Sequence, residues 1–435
     1  MHPPSHPLAL SSLLPGPLAE FASVLVLIGV LAFAVLRPRG WPEALAAVPG
    51  AGLLIALGAV PSGPAWTQLR TLLPVVGFLA CVLVLAWLCA EDGLFEAAGE
   101  LVARYTGSSA QRLLVGVFAV AAVVTAVLSL DATVVLLTPV VFVTASKVGA
   151  HPRPQVYACG HLSNTASLLL PVSNLTNLLA LGASGLSFLR FGALMALPWV
   201  AAVAVEYGIF RWFFRADLAE PTTEERRTGA EGPSGRLPVF TPVVLGLTLV
   251  GFVVCSLLGV NSAWAAFAGA LVLAVRAVAR RQATVRGVVL AANPAFCVFV
   301  LALGVIVSAV VQNGLGRAVG DVLPRGSGFL SLLAIAGIAA VLSNVINNLP
   351  AVLALLPLVA GDGAGPVLAV LLGVNLGPNL SYAGSLATLL WRRVLRDHQV
   401  DPGITQFTRL GAVTVPATLL AATAALWASL AVTGG

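Results

Sequence analysis

One acid and a set of neutral amides carry the chemistry of this sequence. Asp131 is the only charged residue between Arg112 and Lys147, inside the apolar run LLVGVFAVAAVVTAVLSLDATVVLLTPVVFVTAS. An ionised carboxylate at membrane depth costs several kcal/mol unless it is paired, hydrated or protonated. A chain that keeps one there usually uses it. Ser129 and Thr133 flank it, and Pro139 follows. Three further polar clusters interrupt apolar stretches. They are Ser173, Asn174, Thr176 and Asn177 in PVSNLTN, with Asn164 upstream; Ser343, Asn344, Asn347 and Asn348 in LSNVINNLP; and Asn375, Asn379, Ser381, Ser385 and Thr388 around Gly377 and Pro378. Asn and Ser compete with the backbone for hydrogen bonds and sit poorly inside helices. At helix breaks they cap the freed groups and can also face a ligand. Half-helix ends add backbone amides and carbonyls of their own. The four clusters together predict a compact, mostly neutral polar cavity with one titratable acid. The competing reading of each is structural: a Ser or Thr bonding back to its own helix or a neighbour, or Asp131 locked to a helix N-terminus.

The elements that must position these residues are membrane helices. The chain has 435 residues, 59% of them hydrophobic and 9% charged, with mean hydropathy +0.99. Soluble domains carry about 25% charged residues. Repeated apolar runs of about 20 residues mean a polytopic all-α membrane protein, and the runs are too long and uniform for barrel strands. The net charge of +6 is not a nucleic-acid signal, because the basic residues cluster between runs, where they orient the chain. The N-terminus lacks the basic region of a signal peptide. The five cysteines, Cys81, Cys89, Cys159, Cys255 and Cys297, form no pair at metal-ligand spacing. No metal or cofactor is expected, and no enzyme activity.

Apolar runs fall at roughly 18–36, 43–60, 69–90, 113–147, 155–186, 188–210, 239–258, 262–279, 291–312, 328–360, 365–391 and 409–431. Arginines follow the first, sixth, eighth and eleventh, at Arg37 and Arg39; Arg211, Arg215, Arg226 and Arg227; Arg276, Arg280, Arg281 and Arg286; and Arg392, Arg393 and Arg396. All lie on the cytoplasmic side if 113–147 and 328–360 each enter and leave on one face. Both are too long for one span and broken by polar residues, so each predicts a re-entrant helical hairpin. The first opens to the cytoplasm and the second to the outside. The result is about ten spans plus two hairpins, multi-pass in the cell membrane with both termini outside. A charged cytoplasmic linker at 215–238 separates residues 1–214 from 239–435. Each part holds an odd number of spans, so the second is inverted relative to the first. AVLS at 126–129 and again at 340–343 echoes the repeat. Inverted repeats with interrupted helices are the plan of secondary transporters, and the interruptions mark the substrate site.

Other polar residues read more plainly. Glu206 stands before Arg211 and Arg215 and is expected to snorkel or pair there. His161, near Ser163 and Asn164, could relay protons, but a hydrogen-bonded structural role is favoured. Trp66, Trp199, Trp264, Trp391 and Trp427 lie towards run ends and suit interface anchoring.

DATVVLLTPVVF, PVSNLTNLLA, LSNVINNLPAVL and NLGPNLSYAGSLATLLW resemble the signature segments of the ArsB-type arsenite/antimonite efflux permeases. Those permeases sit within the wider ion transporter superfamily, beside sodium-coupled dicarboxylate carriers and sodium/proton antiporters. The resemblance runs in order over nearly the whole chain. It implies a scaffold subdomain and a transport subdomain built from the two hairpins and two broken helices. It implies export of trivalent arsenic or antimony hydroxide, driven by protons or by an associated cytoplasmic ATPase, and it allows a homodimer. By matching motif, the implied site falls on Asp131, Thr133, Asn174, Asn177, Asn344, Asn347, Asn348, Asn379 and Ser385. The residues fit that expectation, since arsenite at neutral pH is an uncharged trihydroxide that amides and hydroxyls can hold. Asp131 is then the expected proton carrier. A sodium/proton antiporter or sodium-coupled (di)carboxylate or anion carrier stands as the alternative, with sodium at the Asn-rich tips. A non-transporting receptor is disfavoured, because the longest polar linker is only about 25 residues, too short for a sensory domain.

Overall fold

A computed structural model describes residues 16–36, 40–107, 109–220, 239–400 and 402–433. Arg37, Arg39, Arg226, Arg227, both chain ends and most of the 215–238 connection, on which the expected orientation leans, lie outside the described residues.

The described chain is helical, without strands. In order it forms α1 (Gly16–Leu36), α2 (Ala44–Ala56), α3 (Ser62–Glu91), α4 (Leu94–Thr106), α5 (Ala110–Val127), α6 (Thr138–Val148), α7 (Arg153–Thr165), α8 (Leu175–Ser184), α9 (Phe188–Phe213) and α10 (Arg215–Ala219). Then follow α11 (Phe240–Leu257), α12 (Ala263–Ala279), α13 (Val285–Ala291), α14 (Pro294–Val310), α15 (Gly316–Gly320), α16 (Phe329–Ile346), α17 (Asn348–Val359), α18 (Ala364–Leu376), α19 (Leu386–Asp397) and α20 (Ile404–Thr433). Lipid offers no hydrogen bonds, so an apolar run must satisfy its backbone internally, as a helix does.

Among the described residues, eight helical stretches are long and apolar enough to cross a membrane. They are α1, α3, α5, α9, α11, the continuous 285–320 stretch, α16 and α20. This is an all-helical, multi-span membrane protein. Not every run expected as a span reaches full length. Helices α2 and α12 have 13 and 17 residues. At about 1.5 Å per residue they fall short of the roughly 30 Å hydrocarbon core.

Four of the long runs break where the polar clusters stand. After α5, Leu128 and Ser129 interrupt the helix, and a π-helical turn over Ala132–Leu137 leads into α6. Helix α7 unwinds into 3-10 turns at Ala166–Leu168 and Pro171–Ser173 before α8. Helices α16 and α17 are separated by Asn347 alone. Helix α18 passes through 3-10 turns at Gly377–Leu380 and Tyr382–Gly384 into α19.

The chain forms two compact units, residues 1–76 with 295–322, and residues 77–294 with 323–435. In the first, Asn313 Nδ2 donates to Ala59 O at 3.0 Å and Ala309 O at 2.8 Å. In the second, α9 packs along α20, α16 along α18 and α5 along α7. Helix α18 meets α16 closely because Gly377 lacks a side chain: a Cβ there would sit 2.7 Å from Ala340 Cα.

Several expectations need correction. Trp391 is no interface anchor. It is fully buried, and its Nε1 donates to Val156 O at 2.9 Å. Its indole packs with Tyr157 and Phe407, so the aromatic cluster, not lipid headgroups, satisfies it. Trp199 is half-buried and donates to Ala166 O at 3.0 Å, inside the α7 break. Trp66, Trp264 and Trp427 are exposed. The segment from 215 does not begin as an open linker. Helix α10 docks there through buried Leu218 and an Arg153–Asp217 ion pair of 3.8 Å. Helix α4 was not anticipated. Glu96, Glu100 and Arg104 hide it from a search for spans, but Phe95, Gly99, Val102 and Thr106 form one buried face at helical spacing.

Candidate functional site

The two broken helices interlock. Asn174 caps α8, its Oδ1 accepting from Thr176 N at 3.3 Å, and Ser385 caps α19, its Oγ accepting from Ala387 N at 3.2 Å. Asn164 and Asn375 each lie ten residues before the cap residue of their own helix pair. Each reaches into the other pair. Asn375 Nδ2 donates to Asn177 Oδ1 at 2.8 Å, and Asn164 Nδ2 donates to Thr388 Oγ1 at 3.4 Å. Asn177 and Thr388 are themselves equivalent, each three residues after its cap. Asn375 Oδ1 also accepts from Thr176 Oγ1 at 2.7 Å and Asn174 Nδ2 at 3.2 Å. Asn164 Nδ2 further donates to Asn379 Oδ1 at 2.9 Å, while Asn379 Nδ2 donates to Thr165 Oγ1 at 2.9 Å and His161 O at 3.2 Å.

These side chains also satisfy the carbonyls that the breaks release. Asn177 Nδ2 donates to Ser167 O at 2.6 Å and Leu170 O at 2.8 Å. Ser173 Oγ donates to Ala126 O at 2.7 Å, the last turn of α5. A buried carbonyl left unpaired costs about 1–3 kcal/mol, so these Asn and Ser residues make the breaks affordable.

The α16–α17 tip joins the α18–α19 break. Asn344 Nδ2 donates to Ala340 O and Gly377 O, both at 2.9 Å, and its Oδ1 accepts from Ser381 Oγ at 2.6 Å. Asn347 Nδ2 donates to Ala383 O at 3.1 Å. Ser343 bonds back to Ala340 O at 2.8 Å. The amide of Asn348 makes no side-chain hydrogen bond among the described residues, although the residue is mostly buried.

The first tip is tied in more loosely. Ser129 Oγ accepts from Ala132 N at 3.1 Å, and Thr133 Oγ1 meets Thr125 Oγ1 at 2.6 Å. Thr138 Oγ1 donates five residues back to Thr133 O at 2.9 Å, which holds the wide π-turn. Such turns often mark functional sites. The π-turn packs against α7 and α19. Asp131 begins it, half-buried, and makes no hydrogen bond or ion pair among the described residues. Side-chain bonds therefore join three of the four expected clusters. Asp131, Ser129 and Thr133 join them by packing and through the Ser173–Ala126 bond. Most of the polar capacity is spent within the protein. The free groups are the Asp131 carboxylate, the Asn348 amide and Asn164 Oδ1, which is buried without a partner.

Sequence reasoning missed one element. Glu206 does not snorkel or pair with Arg211 or Arg215. It is fully buried in α9, and its Oε1 lies 2.9 Å from Nδ1 of equally buried His161. The signal was a lone acid and a lone histidine in two apolar runs, 45 residues apart. Among the described residues no lysine or arginine is fully buried, although Arg392 Nε is enclosed and its guanidinium lies 4.9 Å from the centre of the Tyr382 ring. No group of three His, Cys, Asp or Glu residues able to hold a metal occurs among the described residues, and all five cysteines are free thiols.

The chain is a multi-span membrane protein whose second unit holds an interlocked pair of broken helices with polar side chains at the breaks, and the family it matches is one of transporters, not enzymes. Residues 21–375 match the profile of the CitMHS family, described as citrate transporter. The chain belongs to this family, within the ion transporter superfamily. It is 30% identical over 431 residues to an arsenical pump membrane protein of Yersinia enterocolitica, covering 93% of this chain and 97% of that protein. It is 29% identical over 433 residues to one of Escherichia coli, covering 94% and 98%. The solved structure of the Alcanivorax borkumensis YdaH transporter has a similar fold, with TM-score 0.57 at 14% identity, covering 96% of this chain and 98% of that one.

Proposed function

We propose that the protein exports arsenite or antimonite as the neutral trihydroxide, coupled to proton entry, by alternating access. The observation that carries this reading is the makeup of the site among the described residues: amides and hydroxyls, one partnerless acid at Asp131, and no fully buried lysine or arginine. A trihydroxide needs donors and acceptors but no counter-charge. The names of the arsenical pump relatives point the same way. Asp131, Asn348 and Asn164 face the substrate. Ser129, Thr133, Ser173, Asn174, Thr176, Asn177, Ser343, Asn344, Asn347, Asn375, Asn379, Ser385 and Thr388 hold the frame around it. Asp131 binds a proton in alternation with substrate.

The chain, in this reading, is a pair of inverted repeats, 1–214 and 239–435, joined by a cytoplasmic linker at 215–238. About ten spans and two re-entrant hairpins, at 113–147 and 328–360, place it in the cell membrane with both termini outside. The reciprocal bonds of Asn164 and Asn375 support the repeat. The hairpins and broken helices move as a rigid transport subdomain against a scaffold. Pairing of two copies through the scaffold, and a cytoplasmic ATPase as an alternative energy source, belong to the same reading.

The family name and three helix N-termini at the site, those of α8, α17 and α19, favour a second reading, a sodium-coupled carboxylate or anion carrier or a sodium/proton antiporter. A helix N-terminus contributes up to about 2 kcal/mol towards an anion. Removing each charge from water costs several kcal/mol. Without a fully buried lysine or arginine the balance for a di- or tricarboxylate is unfavourable. Everted vesicles test both readings. Proton-driven arsenite uptake that needs no sodium is expected, and Asp131→Asn should abolish it in a protein that still folds. Undiminished uptake by that variant would remove Asp131 from coupling, and strict sodium dependence would favour the second reading.

A further inference from the structure

Among the described residues, the His161–Glu206 pair is the one fully buried ionisable contact, and the proposed cycle leaves it without a task. His161 lies on α7 one turn before Asn164, and Glu206 lies well inside α9. Both side chains are fully enclosed, with Nδ1 and Oε1 2.9 Å apart. The ring of Phe210 and the ring of Phe407 from α20 face the imidazole, with centroids 5.3 and 5.0 Å away. The ring contacts of the imidazole are therefore apolar. His161 Nε2 and Glu206 Oε2 are both buried without a hydrogen-bond partner. A purely structural bond between α7 and α9 would be expected to satisfy both ends, because such orphaned groups are costly. Orphaned sites on both partners suit a pair whose proton inventory changes.

The ionisable groups of the packed elements leave the pair alone. Arg112 on α5, Arg190 and Arg211 on α9, Arg215 on α10, Arg393, Arg396 and Asp397 on α19 and Arg409 on α20 are exposed; Lys147 on α6, Asp131 at the π-turn, Tyr207 on α9 and Arg392 on α19 are half-buried; and Tyr157 and Cys159 are buried on α7 itself. At the start of α7, Arg153 is paired with Asp217 of α10. The backbone of His161, not its ring, touches the substrate cluster. His161 O accepts from Asn379 Nδ2 at 3.2 Å, and Asn379 Oδ1 accepts from Asn164 Nδ2 at 2.9 Å.

We propose that His161 and Glu206 form a second proton-binding site, separate from Asp131, whose charge state is passed to the substrate cluster through Asn379. The coupling role rests on the proton-driven transport reading above. The proton binding itself does not. The step is an acid–base transfer only: one proton from water adds to the pair and later leaves to water. His161 and Glu206 act as positioning and proton-holding groups and do not touch the cargo.

Infrared difference spectra of the purified protein between acidic and neutral pH test proton binding without any substrate. A titrating carboxyl or imidazole signal should persist in Asp131→Asn and vanish in both Glu206→Gln and His161→Gln. If no titrating signal depends on either residue, the pair is a fixed structural bond and the proposal fails. Proteoliposomes test the coupling. Glu206→Gln should keep arsenite counterflow, which needs no net proton movement, within about twofold, while uptake driven by a pH gradient falls at least tenfold. Equal loss of both would overturn the coupling role. Wild-type liposomes that carry no arsenite would defeat the substrate reading, and the infrared result would still decide whether the pair binds a proton.

Discussion

Asn375 donates from Nδ2 to Asn177 Oδ1 at 2.8 Å, and Asn164, its counterpart in the other broken helix, donates to Thr388, the counterpart of Asn177, at 3.4 Å. Each helix break is thus held by an amide from the other. The polar residues that look like a ligand site in sequence are first of all each other's ligands, and only a few are left for cargo.

That division predicts a large cost at Asn375. Removing its side chain strands Asn174 Nδ2 and leaves Asn177 Oδ1 and Thr176 Oγ1 only their long 3.5 Å bond to each other, and a buried group left unpaired costs about 1–3 kcal/mol. Asn375→Ala should lose on the order of 3 kcal/mol or more, read as a lowered unfolding midpoint in detergent, and transport should fall with it.

Asn348 should behave in the opposite way. Its amide makes no side-chain hydrogen bond among the described residues. Asn348→Ala therefore breaks no such bond and is expected to cost about 1 kcal/mol, the typical value for a single substitution, well below Asn375→Ala. The KM for arsenite should rise several-fold. A stability loss like that of Asn375→Ala would return Asn348 to the frame.

Asn347 separates α16 from α17 with φ 76° and ψ 155°, a region that strains any residue but glycine by about 1–3 kcal/mol. Asn347→Ala keeps that strain and loses the bond to Ala383 O. Asn347→Gly loses the bond but relieves the strain. The glycine variant should therefore unfold later than the alanine variant, and the reverse order would show that the backbone there is unstrained.

Gly160 is where α7 lies against Trp391. A Cβ would stand 2.7 Å from Trp391 Cε2 and 3.0 Å from Nε1. Gly160→Ala should cost about 1–3 kcal/mol through overpacking. Combining it with Trp391→Phe, which shrinks the opposing ring, should recover part of the loss, and a double-mutant cycle with no coupling would contradict the contact.

Much of the architecture was legible from composition alone. Uniform apolar runs can only be helices in lipid, and Pro171, Gly377 and Pro378 mark breaks because they cannot continue a helix at no cost. The tip at Asn347 was legible for a similar reason, as a cluster of amides where apolar residues should be. Helix α4 was not, since its charged face disguised it. Nor was the fate of Trp391, because a tryptophan near a run end reads alike whether it meets headgroups or Tyr157 and Phe407.

The sequence by itself determined the helices, their interruptions and the few residues able to do chemistry. Only the tertiary structure decided which of those residues are used up. A helix that is apolar all round carries no stripe to say which side faces protein, so nothing in the chain announces that Asn375 meets Asn177, or that Glu206 meets His161 across 45 residues. Hydrogen-bond satisfaction is a property of neighbours, and neighbours are set by packing. Asp131 remains free at its π-turn for the same reason: among the described residues no packed helix brings it a partner.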